Sequence, residues 1–149
     1  MKKLLSVSHQ TKNVDIVLLV LRITIAALML THGLPKMEAL LSGEPIQFVS
    51  VFGLSPAVSL GLTVFAEVFC SILILVGFGT RLAAIPLIIT MAVAAFIIHA
   101  ADPFGKQEMA ILYLAVYVVL LIAGSGRYSL DRLLTNKPVL ERNTYGKTI

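Results

Sequence analysis

Four long apolar segments constrain this chain more than any other feature of its sequence. They cover about residues 14–34, 56–78, 82–100 and 109–124, with polar or glycine-rich stretches between them. About 20 apolar residues suffice for a transmembrane helix, in which every backbone polar group is satisfied internally. Charged residues make up only 13% of the chain, against roughly 25% in soluble domains. The sequence therefore predicts an all-α integral membrane protein, a bundle of four transmembrane helices.

Basic residues are distributed unevenly outside these segments. Lysines and arginines precede the first segment, follow the fourth and occupy the short turn at Arg81, whereas only Lys36 and Lys106 lie in the other two loops. The positive-inside rule predicts that the side richer in Lys and Arg faces the cytoplasm, which places both termini there. The net charge of +4 then reflects membrane orientation, and no nucleic-acid partner is expected.

The sequence divides into a membrane domain, residues 1–134, and a polar cytoplasmic tail, residues 135–149. Within the domain, residues 127–134 predict an amphipathic segment on the inner leaflet, with Ser129 as the N-cap of a helix. The loop after the first segment contains "IQFVSVFG", in which apolar residues recur at helical spacing. This pattern predicts either a short interfacial helix or a lid over the mouth of the bundle.

Two charged residues lie deep inside the apolar segments: Arg22 in the first and Glu67 in the second. A charge in a membrane costs at least about 2.5–3.5 kcal/mol, so such residues usually face a partner. Counted from Val14 and Phe78, the two residues lie about 12 and 16 Å deep at 1.5 Å per residue. The matched depths predict an ion pair or a shared water. Its role is either structural, fixing the packing, or functional, as a polar pocket or proton-linked site.

The faces of the two segments support this pairing. Thr63, Glu67 and Ser71 are spaced four residues apart, so they form one polar stripe on the second helix. The first helix carries Arg22 on a face that otherwise holds mostly small residues, which permits close approach of the helices. The polar core is therefore predicted to consist of Arg22, Glu67, Thr63 and Ser71.

A second group of polar residues is predicted at the opposite, outer end of the bundle. It comprises His32, Lys36, His99, Asp102 and Glu108. Two histidines and two carboxylates can in principle bind a metal, but their spacing matches no metal-site signature, and we predict no metal. The alternative is an outer polar mouth whose side chains meet lipid headgroups and water.

Two other residue types bear on chemistry. The chain has one cysteine, so it carries no thiol relay of its own, and Cys70 is expected in the core. Tyr113 and Tyr117 are four residues apart and are predicted either to line a slot for a hydrophobic cofactor or to pack in the core.

Short motifs occur in a fixed order along the chain. An arginine followed by HGxxK lies in "LRITIAALMLTHGLPKM", an AE pair and a GxxTRLAA turn follow, and GxGxxSLD comes after the fourth segment. In this combination the chain resembles the DoxX family of small bacterial membrane proteins, from Leu21 to Leu134. The resemblance singles out Arg22, His32, Gly33, Lys36, Glu67, Arg81, His99 and Asp131.

The resemblance implies a multi-pass protein of the bacterial cytoplasmic (inner) membrane. The family's namesakes are associated with a thiosulfate:quinone oxidoreductase, which implies an accessory membrane subunit of a redox system, without activity of its own, with a quinone as possible cofactor and a redox protein as possible partner. The alternatives are a small protein that binds or transports a metabolite or lipid, and a scaffold for a cytoplasmic partner. The oligomeric state stays open.

Overall fold

The computed structural model describes residues 11–135, which form a bundle of helices. Four of these helices are long and apolar enough to cross a membrane. The predicted all-α architecture with four membrane-spanning helices is thereby confirmed. A short fifth helix follows them. The helices are α1 (Thr11–Leu41), α2 (Pro56–Val76), α3 (Thr80–Ile98), α4 (Phe104–Ala123) and α5 (Leu130–Thr135).

Helix α1 is longer than its apolar segment predicts. It has 31 residues and continues through Pro35, so it is about 46 Å long at 1.5 Å per residue, longer than the hydrocarbon core of about 30 Å. Proline removes one backbone hydrogen bond but does not end this helix. Lys36, predicted in the loop after the first segment, therefore lies on a continuous helix one turn beyond His32 and Gly33.

The loop between α1 and α2 is not helical over the stretch for which an interfacial helix was considered. That alternative is wrong. Ile46 and Phe48 instead pack against a cluster formed by Leu60, Val64 and Val68 of α2. The loop thus covers the outer end of α2, in agreement with the lid alternative.

Two π-helical turns interrupt the long helices. One, Phe65–Cys70, lies in the middle of α2, and the other, Ala94–Ile98, ends α3. Such turns are rare and often occur at functional sites, because they shift the side chains that follow onto a different face. The first contains Glu67, so the polar stripe predicted at a spacing of four residues does not continue regularly through α2.

A closely packed layer fills the middle of the bundle. Each long helix contributes fully buried side chains at this level, and Cys70 is buried among them, as predicted. The same face of α1 that was predicted to approach α2 is the buried one. The side chains with 0% exposure in this layer include Ala26, Ser71, Ile74, Leu87, Tyr117 and Leu120.

The inner end of the bundle is the end that holds the turn between α2 and α3, and the outer end is the opposite one. At the inner end, Gly77 and Gly79 adopt positive φ angles of 74° and 56°, which favour glycine. The Gly79 N–H donates to Asp131 Oδ1 at 2.9 Å, and the Asp131 N–H donates to the Gly77 carbonyl at 3.1 Å. Ser129 Oγ accepts from the Arg132 N–H at 3.3 Å, which confirms the predicted cap. The segment after α4 therefore folds back onto this turn.

Gly33 marks the closest approach of α1 and α2, and replacing it by alanine is expected to destabilise the protein. An added Cβ would lie 2.8 Å from Val68 Cγ2 and 3.0 Å from the backbone carbon of Glu67, and overpacking of this kind costs about 1–3 kcal/mol. Gly61 provides the matched control on α2, since its Cβ would meet nothing within 4 Å. Gly61→Ala should be neutral or stabilising by up to about 1 kcal/mol. Thermal unfolding in detergent compares the two variants, and equal melting temperatures would contradict the close contact.

Candidate functional site

Arg22 is buried at the inner end, with 1% of its surface exposed. Its Nε donates to the Ile74 carbonyl at 3.0 Å and its Nη2 to the Leu75 carbonyl at 3.2 Å. Its Nη1 donates to the carbonyls of Ser125 and of Tyr128, the latter at 3.1 Å. One guanidinium thus joins the end of α2 to the segment that follows α4. This arrangement uses the planar, multi-donor geometry that distinguishes arginine from lysine.

The predicted ion pair between Arg22 and Glu67 is wrong. Arg22 meets the carbonyls of residues 74 and 75, which lie seven and eight positions after Glu67 along α2, or about 11 Å at 1.5 Å per residue. The predicted depths require Val14 and Phe78 to lie at one level of the bundle. They do not, because Gly126 packs close to Leu18 of α1, and α1 therefore starts further toward the inner end.

Glu67 pairs with Lys36 instead. Lys36 Nζ lies 2.5 Å from Oε1 and 2.7 Å from Oε2 of Glu67, and the exposed fractions of the side chains are 34% and 3%. Gly33 packs at the level of Glu67, and the Lys36 side chain points back toward the N-terminus of its helix, as helical side chains do. A buried carboxylate with one bidentate cation is the electrostatic centre of the outer half.

An outer cavity of about 260 Å³ surrounds this ion pair. It brings together three members of the predicted outer polar mouth, His32, Lys36 and His99, with Glu67 of the predicted polar core. The His32 ring meets Tyr113 edge to face, with centroids 5.9 Å apart. The remaining lining is largely apolar and includes Met29, Met91, Ala94, Met109 and Ala110, with Lys106 as a further cation.

His99 is oriented by Asp102. Its Nδ1 lies 2.7 Å from Asp102 Oδ2, and the His99 backbone carbonyl accepts a hydrogen bond from Gln107 Nε2 at 2.8 Å. Lys106 Nζ lies 3.4 Å from the other Asp102 oxygen. With Nδ1 held by the carboxylate, Nε2 is the ring nitrogen left for a ligand in the outer cavity.

The hydrogen bond from His99 lowers the pKa of Asp102, with a smaller contribution from Lys106. A carboxylate with a lowered pKa adds stability above its usual pKa of 3.8, and that stability is lost as the pH falls through the folded-state pKa. In His99→Phe we expect the Asp102 pKa to rise toward 3.8. A carboxyl NMR titration of Asp102 measures this shift, with His32→Phe as the control that should leave it unchanged. Equal shifts in both variants would contradict the contact.

A second space, the roofed cavity, adjoins the same ion pair. It measures about 230 Å³ and is bounded by α2, α3 and the loop before α2. Lys36, Glu67 and His99 line it as well as the outer cavity, and Thr63 joins them there. Its other lining residues are Phe48, Val49, Val51, Thr90, Val93, Ala94 and Ile98.

The remaining predicted residues lie elsewhere. Ser71 is fully buried in the middle layer, away from the lining of the outer cavity, and Glu108 is exposed on α4 and does not line it either. The predicted polar core is therefore divided among three levels. Lys106 was missed as a cavity residue, although its spacing of four residues from Asp102 was a usable signal.

Three buried hydroxyl groups lack a hydrogen-bond partner in the part of the chain that the structure describes: those of Ser71, Thr80 and Tyr117. Tyr117 has no exposed surface and stacks on Tyr113, with ring centroids 6.2 Å apart. Of the alternatives for the two tyrosines, Tyr117 packs in the core and Tyr113 lines the outer cavity. Within residues 11–135, no three His, Cys, Asp or Glu side chains lie close enough together to hold a metal ion.

A protein-family model matches the chain. The DoxX family model matches residues 17–100, more than half of the 149 residues of the chain. The chain belongs to the DoxX family. Neither a curated protein nor a solved structure is significantly similar to it.

The matched region contains most of the candidate site of this DoxX protein. His32, Lys36, Glu67 and His99 all lie within residues 17–100, whereas Lys106 and the other α4 residues of the outer cavity follow it. The ion pair, His32 and His99 thus lie within the region that the family model matches. Helix α4, which closes the cavity, lies beyond that region.

Proposed function

We propose that this DoxX-family protein is an accessory membrane subunit of a redox system and binds a quinone in the outer cavity. The observation that carries the proposal is the buried Lys36–Glu67 pair, which lies with His32 and His99 in a cavity otherwise lined mainly by apolar side chains. Small-molecule sites typically combine apolar walls with a few convergent polar groups.

The side chains suit a flat ring that carries carbonyl oxygens. Lysine has three N–H donors, and Glu67 has two oxygens within bonding distance of Lys36 Nζ, which leaves a donor for a ligand carbonyl. His99 offers its second ring nitrogen in the same cavity. Met29, Met91 and Met109 supply adaptable sulfur contacts for a ring. At about 260 Å³, the cavity is slightly smaller than the usual range of about 300–1,000 Å³, which favours a single-ring head group.

A bound quinone would carry two electrons and two protons between the membrane pool and a partner. The chain offers no dithiol for the electrons, because Cys70 is its one cysteine and is buried. For this reason we assign the electron source to a redox partner protein and an accessory role to this chain. The groups that could exchange protons with a bound quinone are the titratable side chains of the outer cavity, among them Lys36, Glu67 and His99.

Lipid extraction from protein purified in mild detergent tests the proposal directly. We expect a quinone at a ratio approaching one per chain, together with a rise in melting temperature, followed by circular dichroism, when a water-soluble quinone is added. Saturation at 100 times Kd stabilises a protein by about 2.7 kcal/mol. His32→Leu should weaken this effect, whereas Thr31→Leu, at a neighbouring exposed position of α1 outside the cavity lining, is the control. Absence of quinone from the extract, with no thermal shift, would refute the proposal.

Transport of a small metabolite or lipid is the alternative. The middle layer, in which Ala26, Ile74, Leu87 and Leu120 have no exposed surface, favours binding, because any path from the outer cavity to the inner end requires these helices to separate. A proteoliposome flux assay separates the two functions. Flux that Glu67→Gln abolishes would support transport, and no flux despite quinone binding would support the accessory role.

The basic residues also support a topology. We propose that both termini face the cytoplasm of a bacterial inner membrane, with α5 and its exposed Leu133 and Leu134 at the cytoplasmic surface. This position would also suit the alternative in which the segment acts as a scaffold. Reporter fusions after Ser42 and after Thr135 test the topology, and the proposal predicts a periplasmic and a cytoplasmic signal, respectively. The predicted tail, residues 135–149, lies almost wholly outside the described residues.

A further inference from the structure

A third space, the lateral groove, extends from the roofed cavity to the lipid-facing surface. It measures about 190 Å³ and lies between α2 and α3. The roofed cavity shares Lys36, Glu67 and His99 with the outer cavity, and it shares Val51, Thr63 and Val93 with the lateral groove. The three spaces therefore adjoin one another in a row from the buried ion pair to the side of the bundle.

The chemistry along this row changes from charged to apolar. Leu62 of α2 and Ile89 of α3 line the lateral groove, and each is 56% exposed on the face that meets acyl chains. The hydroxyl groups of Ser59 and Thr63, which line the groove, already make hydrogen bonds. Thr63 Oγ1 donates to the Ser59 carbonyl at 2.9 Å, and Ser59 Oγ accepts from the Val51 N–H at 3.2 Å. The groove offers a chain-like ligand apolar walls without unmatched charge.

A strained turn roofs the groove. The Leu54 N–H donates to the Val51 carbonyl at 3.0 Å, and the two residues between them, Phe52 and Gly53, have φ angles of 53° and 75°. A positive φ is unfavourable for phenylalanine, and such strain often accompanies functional loops. Phe52 is 76% exposed and lines the groove. The turn thus holds an aromatic side chain at the edge of the lipid-facing opening.

We propose that the lateral groove holds the prenyl tail of the quinone whose head lies in the outer cavity, and that the ligand enters sideways from the membrane between α2 and α3. The proposal rests on the proposed function. Its motivation is the order of the three spaces, because a membrane-dissolved amphiphile must bring a polar head to Glu67 while its tail stays in an apolar medium. Lipid is as apolar as the groove, so the groove contributes location and packing rather than hydrophobic driving force.

The first test compares a prenylated benzoquinone with the same ring lacking a tail, at equal mole fractions in nanodiscs that contain the full-length protein. Val93→Phe narrows the row where the roofed cavity meets the groove, and Val119→Phe is the matched control on α4, outside the lining of these three spaces and 48% exposed. Steric overlap should weaken binding of the tailed ring on the order of tenfold in Val93→Phe alone. Binding of the tailless ring should stay within about twofold.

The second test locates the tail in the wild-type protein, so it does not depend on how Val93→Phe folds. A prenylated quinone with a diazirine in an isoprene unit beyond the first, which the roofed cavity would hold, should label Leu62, Ile89 or the turn at 51–54. Labels confined to other faces would overturn the inference. Equal labelling of the groove by a diazirine phospholipid, without displacement by the quinone, would overturn it as well and assign the groove to bilayer lipid.

The two proposals fail in distinguishable ways. If neither the tailless nor the tailed ring binds the wild-type protein, the proposed function fails. If both bind and Val93→Phe weakens them equally, or the tail labels another face, only the lateral groove inference fails.

Discussion

Replacing Lys36 by methionine is expected to lower the free energy of unfolding by about 3–5 kcal/mol, because it leaves the Glu67 carboxylate buried without a cation. The Glu67 side chain is only 3% exposed, whereas that of Lys36 is 34% exposed. Glu67→Leu alone should therefore cost less, since the lysine can turn toward water. The double variant Lys36→Met with Glu67→Leu should recover most of the loss, because it removes both charges together.

Cys70 provides the measurement for this series. It is the one cysteine of the chain and is 2% exposed, so a thiol-reactive fluorescent dye reports its exposure as the protein unfolds in detergent. Lys106→Met is the matched control, since its side chain is 65% exposed and exposed ion pairs contribute at most about 1 kcal/mol. A double variant no more stable than Lys36→Met would show that the two groups do not interact.

The same assay tests whether Arg22 and Glu67 are independent. Because Arg22 bonds to carbonyls far along α2 from Glu67, the effects of Arg22→Met and Glu67→Leu should add within about 0.5 kcal/mol. A coupling energy above about 1 kcal/mol would contradict the separation seen in the structure.

Replacing Arg22 by methionine should have the second large effect, a loss of at least about 3 kcal/mol. Hydrogen bonds to a charged group contribute about 1.5–3 kcal/mol each, and Arg22 makes four, to carbonyls on two separate segments. Arg22→Lys keeps the charge, but a lysine ammonium is a compact group with three donors and does not bridge both segments. We expect Arg22→Lys to lose at least half as much stability as Arg22→Met.

We expect the loss of stability in the Arg22 variants to be accompanied by detachment of the segment after α4. Limited proteolysis between Gly124 and Leu130 should accelerate in both Arg22 variants, because two of the four bonds end at Ser125 and Tyr128. Arg132→Met is the control, since Arg132 is exposed and lies outside the stretch that is cleaved. Full stability and unchanged proteolysis of Arg22→Lys would show that charge alone, not the bridging geometry, is what the site requires.

The sequence by itself determined the four apolar helices, the buried face of α1, the cap at Ser129 and membership of the DoxX family. These features are local: length and hydropathy predict a span, helical spacing predicts a face, and a short motif predicts a cap. The convergence of His32, Lys36 and His99 was also within reach, because all three lie toward the same end of the bundle. None of these inferences needs the relative height of two helices.

Only the tertiary structure decided which charges pair. The height of α1 against α2 is set by the contact of Gly33 with Glu67 and Val68 and by the packing of Gly126 near Leu18, not by where hydropathy begins or ends. An offset of two helical turns moves Arg22 from a carboxylate to a set of carbonyls and gives Glu67 to Lys36. The π-helical turn at Glu67 has no marker in the sequence pattern, yet it decides which α2 side chains reach the cavities.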